Sequence, residues 1–431
     1  MDTIIAEVIG ATALVLVVSS LFAAVARRFG QPAVIGQILA GILLGPSCLG
    51  RLPGHLTGRL FPHQVLPFLT VISQIAVAIF MFVVGYELGP QFSRKNCRPA
   101  VLVAAGALII PLALGSGSAL LFKPELARLG QAHFGRSFVL FMGVATAITA
   151  LPVLASIVRE RDIAGTAAGV IATTAAGIMD VAAWIVLAAA LIGTSSGSGR
   201  PWPLTLALIS GFALFMLLVV RPALGWWIRR PRGMFANQLP IALALTLGSA
   251  WITAALGLHP VFGGLLAGLA MQGKDKTPDP DVLRSMEDVS AVFLPLFFVV
   301  TGLSVDVGAL RGNAFVMLAA FVAIATIGKA GPGYAASRLG GLDRKDSATV
   351  AVLVNTRGLT ELIALNIGFS AHLIGQQLFS ILVLMAVLST VMTAPVLHLI
   401  RPRTTTDRAP SPRPGDLTQQ PHGQASGTTG A

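Results

Sequence analysis

The sequence predicts an all-α polytopic membrane protein with about 13 transmembrane helices, in two inverted six-helix repeats with two broken crossing helices. Composition, the spacing of apolar segments and an internal repeat support this prediction. Of the 431 residues, 55% are hydrophobic and only 11% are charged, whereas about 25% of a soluble protein is charged. Apolar runs of about 20 residues, enough to cross a hydrocarbon layer of about 30 Å as a helix, recur along the chain.

Thirteen such segments are expected along the chain. One segment contains a central proline and one contains a central polar run, and these two are expected to be broken helices. The segments are 4–26, 33–46, 67–87, 99–122, 137–158, 164–193, 203–228, 237–256, 259–271, 286–305, 314–337, 346–368 and 377–400.

The distribution of basic residues predicts the orientation, because short cytoplasmic connections collect Lys and Arg. With the N-terminus outside, the inward connections and the tail hold twenty Lys and Arg residues and the outward connections hold seven. The sequence therefore predicts a multi-pass protein of the inner (plasma) membrane with a cytoplasmic C-terminus. The net charge of +12 sits at helix ends, not on a basic patch interleaved with aromatic residues, so no nucleic-acid partner is expected.

Two pairs of phrases repeat along the chain. IGQILAGILLG, which begins at Ile35, resembles FGGLLAGLAM, which begins at Phe262, and the glycines at 36 and 41 match those at 263 and 268. MFVVGYEL in the third segment likewise resembles FFVVTGLSV in the tenth. Each segment thus matches the seventh one after it, and an odd shift reverses the direction of crossing. The sequence predicts inverted repeats over about 4–193 and 237–400, joined by a linker helix at 203–228, which is an arrangement typical of secondary transporters.

The transmembrane domain is expected to cover residues 1–403. After it the chain is rich in Thr, Pro, Gly, Gln and Ser, so residues 404–431 are predicted to form a disordered cytoplasmic tail.

Asp180 lies in the middle of an apolar segment. A carboxylate at the centre of a membrane helix costs about 2.5–3.5 kcal/mol on insertion scales, and such residues usually mark ion or proton pathways. The alternative is that Asp180 only holds helices together through hydrogen bonds.

Two segments are predicted to be broken near the midplane, as in transporters that bind their substrate at unwound helices. The fifth contains Thr149 followed by Pro152, and the twelfth contains the polar run from Asn355 to Glu361. Arg357 either neutralises the ends of the broken helices or takes part in transport, and the first role is favoured. Glu361 lies four residues further on, so an ion pair with Arg357 is expected.

Lys329 lies in the middle of the eleventh segment. It either titrates during transport or serves as a permanent partner of Asp180 or of helix ends, and the sequence favours neither alternative.

Five phrases resemble the successive signatures of a known family over residues 31–400: GQILAGILLGPSCLG, TAITALPVLASIVRERDI, GIMDVAAWIVLA, FLPLFFVVTGLSVDV and NTRGLTELIALNIG. The family is that of the monovalent cation:proton antiporters, which includes bacterial sodium or potassium/proton exchangers and plant cation/proton exchangers. The resemblance implies a homodimer of 13-helix protomers, each with a dimer domain and a six-helix core domain, and elevator-like alternating access. It also implies that Asp180 binds cation and proton in competition, that Thr149 lies in the first broken helix, and that Lys329 stabilises the site.

The chain departs from the family at Met179, where an Asp or Asn usually precedes the essential Asp. Selectivity between Na⁺ and K⁺ and the stoichiometry therefore do not follow from the sequence, although a single carboxylate predicts one-for-one exchange. The cation and proton site is predicted to comprise Asp180, Thr149 and Met179. Residues that stabilise the site or couple it to transport are predicted to be Lys329, Arg357, Glu361 and Asn355.

The predicted function is secondary active exchange of Na⁺ or K⁺ for H⁺, with no cofactor and no enzymatic activity. A proton- or sodium-coupled transporter of an organic solute on the same fold is the alternative, because Met179 makes the site less ionic. A channel is disfavoured because no repeated carbonyl filter is present. An intramembrane enzyme is disfavoured because the sequence has no His-Glu-x-x-His motif and no second intramembrane aspartate that could pair with Asp180.

Overall fold

The computed structural model describes residues 2–51, 56–87, 97–131, 133–192, 202–228, 238–256, 259–272, 279–310 and 312–401. All regular structure in these ranges is helical. The predicted tail at 404–431 lies outside the described residues.

The α-helices of the first half extend up to the linker helix. They are α1 (Asp2–Arg28), α2 (Ala33–Leu44), α3 (Leu56–Leu60), α4 (Leu66–Glu87), α5 (Cys97–Leu121), α6 (Lys123–Arg128), α7 (Arg136–Ala147), α8 (Leu151–Glu160) and α9 (Ala167–Ile192). The linker consists of α10 (Trp202–Phe215), a π-helix (Met216–Val220) and α11 (Arg221–Ile228). The second half contains α12 (Leu239–Ala255), α13 (Pro260–Met271), α14 (Pro280–Leu303), α15 (Asn313–Leu339), α16 (Arg344–Val354), α17 (Leu359–Ser370) and α18 (Gln376–Ile400).

Every one of the thirteen predicted segments coincides with one helix or with two or three consecutive helices. Eleven of the resulting spans are long and apolar enough to cross a membrane, and α12 and α13 are shorter apolar helices. The predicted boundaries differ most at α14, which begins at Pro280 instead of 286 because Asp279 caps it: its side chain accepts a hydrogen bond from the Asp281 backbone N–H. The short helices α3 and α6 were not predicted.

Packing between the helices follows the predicted repeat. When each helix is replaced by its repeat partner seven segments away, the contact of α1 with α2 corresponds to that of α12 with α13. In the same way, the contact of α2 with α14 corresponds to that of α13 with α4. The contacts of α5 with α7 and α9 correspond in the same way to those of α15 with α16 and α18. The two halves therefore have the same internal arrangement, as expected for inverted repeats.

The glycines shared by the two repeats have the same packing role in each. A side chain on Gly41 of α2 would collide with the backbone of α14 near Gly302, and one on Gly268 of α13 would collide with the backbone of α4 near Gly85. Small residues allow helix backbones to approach closely where lipid provides no hydrophobic force between helices. The repeated Gly-rich phrases thus reflect two equivalent close helix crossings.

The largest buried cluster surrounds α7, α17 and α18. Helix α17 is buried on nearly all sides, from Leu359 to Gly368. Polar groups at its start must therefore find partners inside the protein, because water cannot reach them.

Candidate functional site

Two interrupted helix pairs, one from each half of the chain, meet at their breaks inside the buried core. One chain segment, residues 148–150, joins α7 to α8, and the other, residues 355–358, joins α16 to α17. The Ala150 backbone N–H donates to the Thr356 carbonyl at 3.0 Å, and the Thr360 hydroxyl donates to the Thr149 carbonyl at 3.0 Å. The two breaks therefore satisfy part of each other's backbone, and both predicted interruptions are confirmed.

Local sequence explains why the helices stop here. Pro152 lies in the first turn of α8, where its missing N–H is tolerated, whereas in a continuous helix it would leave the Ile148 carbonyl without a donor. Gly358 has φ 155° and ψ −125° at the start of α17, a conformation open to glycine and strained for other residues. Each break thus depends on a residue that is unfavourable in a continuous helix.

Arg357 caps the C-terminal end of α7. Its guanidinium donates to the Ala145 carbonyl at 3.0 Å and to the Thr146 carbonyl, and it also pairs with the Glu361 carboxylate at 2.8 Å. Both side chains are fully buried. The expected Arg357–Glu361 pair is present, and Arg357 compensates a helix end, as the favoured of its two predicted roles requires.

Lys329 supplies a second cation at the same helix end. Its ammonium donates to the Ile148 carbonyl at 2.6 Å and to the Ala147 carbonyl. The last four carbonyls of an α-helix have no partner within the helix. Lys329 and Arg357 together cover four successive carbonyls, from Ala145 to Ile148, so Lys329 is a partner of a helix end in this structure.

Asp180 lies on α9 with only 2% of its surface exposed. Neither carboxylate oxygen accepts a hydrogen bond from the described residues. The groups that act on it electrostatically are the Lys329 ammonium and the backbone N–H of Leu151, the first residue of α8. The positive end of a helix favours an anion, so the fold places Asp180 where a negative charge is tolerated while both of its oxygens lack a hydrogen-bond donor.

Met179 is also fully buried, and the Thr149 hydroxyl approaches its sulfur at 3.7 Å. The same hydroxyl donates to the Val354 carbonyl at 3.2 Å. Thr149 therefore connects the first break to the end of α16 and to the residue beside Asp180. A thioether is only a weak acceptor, so Met179 adds neither a charge nor a hard oxygen.

Three other buried side-chain oxygens at the second break have no hydrogen-bond partner among the described residues. They belong to Asn355, Thr356 and Glu361, whose second carboxylate oxygen is bare. Unsatisfied buried acceptors are rare and costly in folded proteins. The crossing is therefore rich in oxygen atoms that can receive a proton or a cation.

The structure brings every predicted site residue to the crossing or to its immediate partners. Sequence reasoning missed Thr360 and Thr390. The Thr390 hydroxyl, on α18, accepts from the Arg357 backbone N–H at 3.2 Å and donates to the Arg357 carbonyl at 2.8 Å. Thr360 stood inside the polar run that was singled out, whereas Thr390 is one of several hydroxyl residues spread along an apolar helix and gave no distinctive signal.

A cavity of about 430 Å³ reaches the start of α8 from one end of the bundle. Leu151 and Pro152 line its inner part, and Glu87, Arg159 and Glu287 line it further out. Because the Leu151 backbone N–H faces Asp180, the cavity ends close to the carboxylate.

Comparison with known proteins agrees with this geometry. The sequence profile described as "Sodium/hydrogen exchanger, transmembrane" matches residues 14–399. The chain belongs to this family. It is a family of transporters and not of enzymes, as the sequence predicted.

Among named relatives, the Na(+)/H(+) antiporter NhaS4 of Synechocystis sp. is 34% identical over 93% of this chain and 97% of its own length. Cation/H(+) antiporter 20 of Arabidopsis thaliana is 35% identical over 92% of this chain and 49% of its own length. The K(+)/H(+) antiporter 1 of Saccharomyces cerevisiae is 31% identical over 90% of this chain and 46% of its own length. This chain thus spans about half the length of the plant and yeast relatives.

The fold resembles a solved structure, that of the sodium proton antiporter MjNhaP1 from Methanocaldococcus jannaschii. The TM-score is 0.66, the sequence identity is 15%, and the match covers 92% of this chain and 96% of the other. At this identity the similarity concerns the fold alone, and it agrees with the predicted all-α polytopic architecture.

Proposed function

We propose that this chain is a secondary active transporter that exchanges Na⁺ or K⁺ for H⁺. The observation that carries the proposal is Asp180, a buried carboxylate whose two oxygens accept no hydrogen bond from the described residues. An intramembrane carboxylate of this kind is expensive unless a proton or a cation neutralises it. The names of its relatives, which are Na(+)/H(+), K(+)/H(+) and cation/H(+) antiporters, support the same class of substrate.

In the proposed cycle, Asp180 carries either one proton or one monovalent cation. A cation at Asp180 would draw further oxygen ligands from the two breaks, where Asn355 and Thr356 have bare side-chain oxygens. Lys329 and Arg357 would hold the C-terminal end of α7, so that the crossing keeps its shape while the occupant of Asp180 changes. Thr149 and Met179 complete the proposed cation and proton site, and Glu361 positions Arg357.

Exchange without a leak requires that Asp180 faces one side of the membrane at a time. The cavity that ends at Leu151 provides access from one side. It lies between α8 and α9, which flank the site, and a second group of helices, α4 and α14, which carry no site residue. We propose that the site-bearing helices move against that second group in an elevator-like step.

The proposed organisation follows from the same repeats. Residues 1–403 form the transmembrane antiporter domain, with repeats at about 4–193 and 237–400 around the linker helix at 203–228. We propose a homodimer in the inner membrane, with the N-terminus outside and the C-terminus inside, as the distribution of Lys and Arg indicates.

The test compares Asp180→Asn with Asp288→Asn in everted vesicles. Asp288 is exposed on α14, so its variant makes the same chemical change away from the site. We expect Asp180→Asn to abolish Na⁺- or K⁺-dependent dissipation of a proton gradient at unchanged protein level, and Asp288→Asn to behave as the wild type. Retained exchange in Asp180→Asn would overturn the proposal.

The alternative, transport of an organic solute on the same fold, receives no support from the named relatives. Uptake of labelled Na⁺ and K⁺ measured beside a panel of organic anions separates the two functions. Proton-coupled flux of an organic anion without cation flux would favour the alternative.

A further inference from the structure

A second, larger cavity of about 580 Å³ lies apart from the ion site, between α9 and the linker helix. The α12 and α13 helices close its other side. Apart from Arg221, Thr253 and Gln272, all of its lining residues are apolar. All of these helices are apolar spans or shorter apolar helices of the bundle. The cavity, called the linker groove below, is therefore bounded by surfaces suited to hydrocarbon.

One face of the linker helix forms a wall of this groove. Ile209, Ala213, Leu217 and Arg221 all line it and are spaced four residues apart. On a straight α-helix, residues four apart drift by about 40° around the axis. The π-helix at Met216–Val220 has wider turns, with i→i+5 bonds, which counteract this drift. The irregular turn thus keeps Arg221 on the same face as the apolar residues that precede it.

Arg221 is the one ionisable side chain that lines the groove in the described part of the chain. No acidic residue lines it, and Arg221 takes part in neither of the two ion pairs seen among the described residues. A cation within a membrane span normally pairs with an anion or reaches the headgroup region. The groove thus combines a long apolar wall with the positive charge of Arg221, which faces no acidic residue among the groove's lining.

Gln272 and Thr253 show how the groove is oriented. Gln272 lies at the end of α13, where its side chain donates to the Gly85 and Tyr86 carbonyls at the end of α4. Because α11 packs against α13, Arg221 lies toward the same end as Gln272. Thr253, in the last turn of α12, and Phe262, in the first turn of α13, line the groove toward the opposite end of these short helices. A headgroup near Arg221 would place a hydrocarbon chain along the remaining apolar wall.

We propose that the linker groove binds one anionic phospholipid, with its phosphate on Arg221 and an acyl chain between α9 and α10. Charge complementarity and the location of the groove in membrane-spanning helices identify the occupant as a lipid and not a soluble molecule. Val181, Trp184 and Ile185, which lie within five residues of Asp180 on α9, line the groove. The bound chain therefore contacts the helix that carries Asp180.

The experiment counts lipids retained by purified full-length protein, using native mass spectrometry after reconstitution with equal amounts of phosphatidylglycerol and phosphatidylcholine. The wild type is expected to retain one phosphatidylglycerol per protomer in preference to phosphatidylcholine. Arg221→Gln should lower this preference about fivefold, the effect of one basic side chain facing an anionic lipid. Arg221→Lys should restore it, because the charge is kept.

Two further variants test the acyl-chain part of the groove. Ala213→Phe fills the space along the linker wall and should reduce retention of both lipids, whereas Ala223→Phe, on the exposed side of the same helix, should not. Arg98→Gln, which removes an exposed basic residue at the start of α5, controls for attraction of lipid by any arginine. Equal retention in Arg221→Gln and Arg98→Gln would overturn the proposal. Loss of dimers in Ala213→Phe, together with no lipid retained by the wild type, would also overturn it, because a second copy would then occupy the groove.

These measurements do not depend on transport. A protein that retains phosphatidylglycerol through Arg221 but fails the Asp180→Asn test would contradict the proposed function and leave the lipid site intact.

Discussion

Removal of the Arg357 guanidinium is expected to destabilise the crossing of the broken helices more than any other single change at the site. Arg357→Met keeps a long apolar stem and removes three contacts: two with the Ala145 and Thr146 carbonyls and one with Glu361. It leaves the Glu361 carboxylate fully buried without its cation.

The magnitude follows from these contacts. Breaking a buried ion pair by removing one partner costs about 3–5 kcal/mol, and each carbonyl left without a donor adds about 1 kcal/mol or more. The free energy of unfolding should therefore fall by about 5–7 kcal/mol in Arg357→Met. In Arg357→Met/Glu361→Met no unpaired charge remains. The free energy of unfolding should then fall by only about 2–4 kcal/mol, the cost of the two carbonyls left without a donor.

The assay is unfolding by SDS in mixed micelles with dodecyl maltoside, followed by tryptophan fluorescence. Arg136→Met is the matched control, because Arg136 is exposed at the opposite end of α7, and it should unfold like the wild type. From most to least stable, the expected order is the Arg136→Met control, the double variant and Arg357→Met. The reasoning is refuted if Arg357→Met unfolds like Arg136→Met, or if the double variant is less stable than Arg357→Met.

Three other predictions concern the second break, the repeat packing and the ion competition. Thr390→Val should lower the free energy of unfolding by about 1–3 kcal/mol, because it strips both hydrogen bonds from the Arg357 backbone, and Thr390→Ser should restore it. Gly302→Ala should cost about 1–3 kcal/mol through overpacking against α2, measured in the same unfolding assay, whereas Gly248→Ala, with open space around it, should be neutral or slightly stabilising. If the proton and the cation compete for Asp180, the apparent KM for Na⁺ or K⁺ should rise as pH falls, by up to about tenfold per pH unit, while the maximal rate at saturating cation stays constant. A KM that is independent of pH would contradict competition.

Much of the architecture was predictable because it depends on local or periodic features of the chain. Apolar length defines each membrane span, and Pro152 and the polar run at Asn355 mark the two places where a continuous helix is unfavourable. The matching glycines at 41 and 268 predicted the repeat because close backbone contact requires small residues wherever it occurs. The short helices α3 and α6 escaped prediction because they lie between spans and have no apolar periodicity of their own.

Side-chain partners across the fold were much less predictable. The pair of Arg357 with Glu361 was expected from their four-residue spacing, but the Ala145 and Thr146 carbonyls lie more than 200 positions away from Arg357 in the sequence. Similarly, the sequence left open whether Lys329 titrates or is a permanent partner of Asp180 or of helix ends, and the structure shows its ammonium on the carbonyls of Ala147 and Ile148.

The sequence alone determined the class of the protein, its spans and its two helix breaks, and it predicted the repeats and a role for Asp180, because each of these depends on composition or spacing. Only the tertiary structure decided which groups face Asp180, which cations cover the end of α7, how Met179 meets Thr149, and where an apolar groove opens beside Arg221. The physical reason is that hydrogen bonds and cavities depend on how distant helices pack, whereas insertion into a membrane depends on the apolar length of each helix by itself.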